Sequence, residues 1–172
     1  MLNRITRKVA AALSTPPART HLGLCLIELA WLVPLLAVLG TAGGLLNWAP
    51  ALNVATLKLA LLAIAVPSLG EELFFRAALL PSPDPPKRFP WRAAAISTLL
   101  FVLWHPLQAP LFGPRWSELV LNPWFLLSAG ALGLACARLY WKTASIWPAV
   151  LLHWTIVVLW KSLFGAPSPW NG

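Results

Sequence analysis

The chain has 172 residues, of which 59% are hydrophobic, 11 are tryptophan and only 10% are charged. That balance excludes an ordinary soluble domain. The formal charge of +8, from 13 basic and 5 acidic residues, does not redirect the reading to nucleic acid, because the basic residues punctuate apolar runs and accompany no recognition motif.

Apolar stretches of roughly 18 residues or more are long enough to cross a hydrocarbon core as helices, and several follow one another. The expectation is an all-α, polytopic membrane bundle of about five transmembrane helices, with the lipid bilayer as its surroundings. Residues 1–21, opening "MLNRITRKVAAALSTPPART", bring Arg4, Arg7, Lys8 and Arg19 before any acid and read as a cytoplasmic basic N-terminus. The apolar segment behind it exceeds the roughly 7 to 15 residues of a signal-peptide core, so it is read as a retained first span, and Pro16 and Pro17 argue against an amphipathic transit helix. That span, residues 22–40, carries Glu28 and Pro34 and completes, with the uncharged turn "GTAGGLLNWAP", a first unit over 22–50.

A core over 51–164 and a tail over 165–172 follow. The apolar region near 51–80 is too long for one straight span, and Pro67, Ser68 and Gly70 in its middle predict a kink or break near Pro67, because proline removes a helical hydrogen bond. "PSPDPPKRFPWR", residues 81–92, is a basic loop whose Lys87, Arg88 and Arg92 belong on the same side as the N-terminus. A third span over 91–107 runs into "HPLQAPLFGPRW"; a fourth over 119–137 returns to Arg138 and Lys142; a fifth over 146–164 leads outward. Arg115 and Lys161 depart from this charge pattern and are expected at an interface. Trp91, Trp116, Trp124, Trp141, Trp147 and Trp160 fall near span ends, as an aromatic belt does. Cys25 and Cys136 lack partners at metal-ligand spacing and read as small buried hydrophobes.

The polar groups left at membrane depth are Glu28, Glu71, Glu72, Arg76, His105 and His153. Ionisable side chains are expensive there, face the bundle interior and seek partners, which makes them functional candidates by default. In "EELFFR", Glu72 and Arg76 are four apart and stack as an ion pair on a helix, whereas Glu71 points about 100° away. A free carboxylate is a candidate proton acceptor. Phe101 and His105 share a face of the third span, and His153 lies within the fifth. One carboxylate and two imidazoles from three helices suit water activation: the carboxylate takes the proton, one imidazole orients the water, and the other donates to an oxyanion. Glu28 stands outside this set and is assigned no role.

At these residues the chain resembles the CPBP family of CAAX proteases and bacteriocin-processing enzymes, also called the Abi family of intramembrane glutamate proteases. Its first motif, two glutamates, three residues and an arginine, is matched by Glu71, Glu72 and Arg76; its second, a phenylalanine, three residues and a histidine, by Phe101 and His105. Its third pairs a histidine with a polar residue, usually asparagine, four positions on. His153 matches, but Val157 stands in the second place, and Thr155 is the nearby hydroxyl. The resemblance implies a protease core over 51–164, with the first span an addition. It also implies an endopeptidase in which Glu71 and His105 activate water against a membrane-associated protein or peptide. His153 then stabilises the oxyanion while Glu72, Arg76 and Phe101 support the site, and no cofactor is required.

The expected location is a bacterial inner membrane. Three alternatives accompany this reading. A non-catalytic adaptor or bacteriocin-immunity-type protein would keep the motif for packing. A zinc enzyme would use Glu71, His105 and His153 as ligands, though without a short-spaced HExxH-type pair. A small carrier would show repeated halves, and only one broken segment is visible.

Overall fold

The computed structural model describes residues 2–83, 88–112 and 114–167. Lys87 of the basic loop and residues 168–172 of the tail lie outside them. Among the described residues seven helices follow one another: α1 (Leu2–Ser14), α2 (Arg19–Ala42), the broken α3 (Val54–Ala78), α4 (Trp91–Trp104), α5 (Pro114–Leu121), α6 (Pro123–Thr143) and α7 (Trp147–Phe164). A tight 3-10 turn over Pro106–Leu111 prolongs α4. Five of these segments, α2, α3, α4 with its extension, α6 and α7, are long and apolar enough to cross a membrane. Their outer faces carry exposed Leu26, Val38, Leu61, Ile96 and Leu99, as helices do when the surrounding solvent is hydrocarbon. The chain is a polytopic helical membrane protein.

α6 is the axle. Half of its most apolar stretch is buried, against a third or less in the other four, and its Ala129, Gly133, Ala135 and Ala137 keep the side chains small, so neighbouring backbones approach closely. It packs against α2, α4 and α7. Its start differs from the expected fourth span. Asn122 caps the helix by accepting from the Trp124 N–H at 2.9 Å, and Pro123 occupies the first turn, where its missing N–H costs nothing. The residues before it form the short α5, in which Leu119 and Val120 are buried. The shift carries Arg138 and Lys142 into the helix instead of leaving them beyond its end.

α3 breaks as the sequence predicts. Val66 adopts an extended backbone (φ −134°, ψ 119°) just before Pro67, and two wide π-type segments, Ile64–Leu69 and Leu73–Ala78, flank the single turn Gly70–Glu72. Such widened turns recur at functional sites because they re-aim side chains without ending the helix. Here they present two consecutive glutamates to the interior.

Two devices close the ends of the bundle. The turn between α2 and α3 donates from Ala49 and Ala51 to the carbonyls of Leu163 and Ser162, partnering the last turn of α7. At the other end α1 packs against the end of α3 and the start of α7. Its Val9, Ala12 and Leu13 pack with Ala77, Leu80, Ile146 and Val150, and the Lys8 ammonium donates to the carbonyls of Ala78 (2.9 Å) and Leu80. A cation at a helix C-terminus meets the negative end of its dipole. Burial, and then Arg4, lower the Lys8 pKa below its ordinary value.

Candidate active site

Both glutamates of α3 point inward but meet different surroundings. Glu72 is fully buried: its Oε2 lies 3.1 Å from Arg76 Nε in an ion pair, and its Oε1 lies 2.9 Å from His153 Nδ1 on α7. Arg76 is anchored in turn, donating from Nη2 to the Gly133 carbonyl at 3.0 Å and resting its guanidinium 4.5 Å from the centre of the Phe101 ring. Gly133 leaves room for this contact: a Cβ there would stand 3.1 Å from both Arg76 Nη2 and Phe101 Cδ1, so the guanidinium and ring would have to give way by a few tenths of an ångström. Ser97 completes the frame by donating to the Phe75 carbonyl at 2.5 Å, which joins α4 to the motif's helix.

Glu71 is held more loosely. The Trp104 indole donates to its Oε1 at 3.3 Å, while its Oε2, shielded from solvent, has no hydrogen-bond partner and lies 3.9 Å from His153 Nε2. A carboxylate only accepts, so His153 donates from Nδ1 to Glu72 and turns Nε2 towards Glu71. The 3.9 Å gap is too wide for a direct hydrogen bond.

His105 sits at the end of α4. Its Nδ1 donates to the Phe101 carbonyl at 2.9 Å, which leaves Nε2 as the acceptor of the neutral ring. Phe101 and Phe125 meet it edge-on at 4.9 and 5.1 Å. No bond joins His105 to Glu71; what they share is the wall of a cavity of about 810 Å³, which His153 also lines. Glu72 and Arg76 stand behind that wall. Every site residue expected from the sequence is thus drawn into one region: Glu71, Glu72, Arg76 and His153 by direct contact, Phe101 and His105 through ring packing.

Val157 lines the cavity one turn beyond His153, whereas Thr155 does not. The residues that sequence reasoning missed are Trp104, Gly133, Gln108 and Lys161. Trp104 could have been found, since it directly precedes His105, but a tryptophan among 11 carries little signal. Lys161, expected at an interface, lines the cavity instead.

Glu28 acquires partners of its own. Arg138 lies 3.0 Å and Lys142 3.3 Å from its Oε1, and the Trp31 indole donates to Oε2 at 2.7 Å. No wall of the large cavity includes it.

A multi-span helical protein that encloses carboxylates and imidazoles around an apolar cavity belongs to the class of membrane-embedded enzymes and their relatives. The family model described as Type II CAAX prenyl endopeptidase Rce1-like matches residues 53–159. The chain therefore belongs to the Rce1-like family of CAAX proteases, within the CPBP group, whose members act on membrane-associated proteins. No curated protein and no solved structure is significantly similar to it. The matched stretch begins just before α3 and ends within α7, so it contains all six site residues and omits α1, α2 and Lys161.

Proposed function

We propose that this protein is an intramembrane endopeptidase of the glutamate type, hydrolysing a peptide bond in a membrane-associated protein or peptide. The observation that carries the reading is the unpartnered Oε2 of Glu71 on a cavity wall shared with His105 and His153.

Water held between Glu71 Oε2 and His105 Nε2 loses a proton to Glu71 as its oxygen attacks the substrate carbonyl carbon. The carbonyl π pair moves onto oxygen, and His153, held at Nδ1 by Glu72, stabilises the resulting oxyanion by donating from Nε2 as an imidazolium, in which both ring nitrogens are donors. The tetrahedral intermediate collapses, the C–N bond breaks, and the proton on Glu71 passes to the leaving nitrogen. A carboxylic acid and an amine result, and Glu71 is regenerated. Arg76, Phe101 and Gly133 position Glu72, and through it His153. The mechanism calls on no metal. The basic residues Arg4, Arg7, Arg88 and Arg92 support a cytoplasmic N-terminus, and a bacterial inner membrane is the proposed location.

The test is cleavage of lipidated peptides by purified protein in lipid, wild type against Glu71→Gln. Cleavage by wild type alone is expected; equal cleavage by the variant overturns the assignment of Glu71. One observation favours a second reading, a non-catalytic adaptor: Val157 presents no hydrogen-bond donor where the family motif has one. Under that reading Glu71→Gln keeps the biological activity and Glu72→Ala loses it.

A further inference from the structure

The Glu28 cluster is unbalanced. One carboxylate faces two cations, Arg138 at 3.0 Å and Lys142 at 3.3 Å, so one positive charge is left over. In the motif pair Glu72 and Arg76 cancel. Among the described residues no second carboxylate pairs with either cation. Arg138 engages Glu28 through Nε alone, shared between the two carboxylate oxygens at 3.0 and 3.1 Å. The edge formed by its two terminal amino groups therefore stays open. Glu28 has no capacity to serve it, being fully buried and accepting at Oε2 from the Trp31 indole as well. The position of the two cations decides what can answer them. α6 is 21 residues long, about 31 Å at 1.5 Å per residue, close to the thickness of a hydrocarbon core. Lys142 stands in its last turn, at headgroup depth, and Arg138 about 6 Å deeper. Both side chains are partly exposed. At steps of three and four residues the same stripe of α6 continues through half-buried Leu134 and Ala131 to exposed Leu127. It is cationic at one end and apolar along the rest.

We propose that Arg138 and Lys142 hold the phosphate of one anionic phospholipid, whose acyl chain lies along Leu134, Ala131 and Leu127 of α6. A guanidinium edge and an ammonium on successive turns suit a phosphate, the first as a paired donor and the second as a point charge. The charges match too: a phosphodiester brings a single negative charge to a single surplus positive one. A zwitterionic lipid brings its own cation and gains less. Glu28 acts here as the part that aims Arg138, holding Nε inward so that the terminal amino groups face the lipid. The site thereby gives the first span a task that the protease core does not share, since Glu28 lies outside residues 53–159 and both cations lie within them. It stands apart from the cavity of Glu71, which none of these residues lines.

The full chain in a nonionic detergent is titrated with phosphatidylglycerol or with phosphatidylcholine of the same acyl chains, and the first bound lipid is counted by native mass spectrometry. Phosphatidylglycerol is expected to bind about tenfold more tightly, the fold-change of a charge-assisted hydrogen bond. Equal affinities overturn the proposal. Lys142→Met leaves Arg138 to neutralise Glu28 and removes the surplus, so the preference should vanish, whereas Lys142→Arg should keep it. A preference that survives Lys142→Met places the lipid on another basic surface, Arg4 and Arg7 of α1 foremost, and overturns the proposal. Glu28→Gln works in the opposite direction. It uncovers a second positive charge, and the affinity for phosphatidylglycerol should rise about threefold or more. A cluster that only ties α2 to α6 would instead lose thermal stability with no gain in lipid affinity, and that result also counts against the site. Melting curves accompany each titration; should Glu28→Gln fail to fold, the Lys142 pair decides alone. An excess of inorganic phosphate should leave the lipid bound. Displacement by it would assign the two cations to a free anion and sink the lipid site.

Discussion

The bundle buries two glutamate clusters, and the contrast between them separates structure from chemistry. Glu28 sits against Arg138, Lys142 and the Trp31 indole, every bond directed at it, with no cavity alongside. The pair on α3 is divided: Glu72 is ion-paired with Arg76 and hydrogen-bonded to His153 behind the cavity wall, but Glu71 keeps one oxygen with neither a cation nor a hydrogen-bond donor against it on the wall itself. A saturated carboxylate holds helices together, here α2 to α6; an unsaturated one has capacity left for a water or a substrate. Burial alone does not distinguish them, since Glu28 and Glu72 are both fully buried. Position in the family match does, because residues 53–159 include the α3 pair and exclude Glu28.

The largest effect expected from breaking this contrast is on turnover. Glu71→Gln preserves shape and the Trp104 contact but removes the proton acceptor, so cleavage should fall by about 10³-fold or more with unchanged thermal unfolding. His105→Ala should follow, with a loss of about 10²-fold or more. Steady-state cleavage and a melting curve on the same preparations check both, and a large stability loss in Glu71→Gln would place that residue with Glu28.

The next two variants compare the ion-paired clusters by stability. Glu72→Ala strands Arg76, which is fully buried, and should cost about 3 to 5 kcal/mol. Glu28→Ala strands Arg138 and Lys142, whose side chains are 31% and 38% exposed and can turn outward; it should cost about 1 to 2 kcal/mol and leave kcat alone. Reversible unfolding in detergent ranks the two, and the opposite order would show that the α2–α6 contact, not the α3 motif, is the mechanical centre.

How much of this was legible beforehand follows from the range of each interaction. The Glu72–Arg76 pair and the break at Pro67 are local, set by a four-residue spacing and a missing N–H, and both could be read directly. The five spans followed from apolar length. The partners of Glu28 could not be read, because they lie 110 and 114 residues away and nothing in the spacing of Arg138 or Lys142 marks them as helical instead of terminal. The helicity of α1 was hidden by Pro16 and Pro17, which end it without preventing it. The link from His153 to Glu72, across 81 residues, was likewise invisible; the two were placed in one site by chemistry, and only the fold supplies the bond between them.

The smallest expected effect concerns Val157, where the chain departs from its family's motif. Its side chain lines the cavity one turn from His153, so an asparagine introduced there would face the same space as the proposed oxyanion. A single added donor at such a position is worth up to about 10²-fold in a pre-organised site. The surroundings here were formed around an apolar side chain, and a gain in kcat of only about twofold to tenfold is expected from Val157→Asn. The readout is kcat on one lipidated peptide, with KM as the control. A gain in kcat at constant KM would mean that the wild-type site is active with an incomplete oxyanion pocket. No gain, with Glu71→Gln already inactive, would assign oxyanion stabilisation to His153 alone. A variant that lowers kcat would show that the apolar surface at Val157 holds substrate, which would move this residue from the unused end of the motif to the lining that sets specificity.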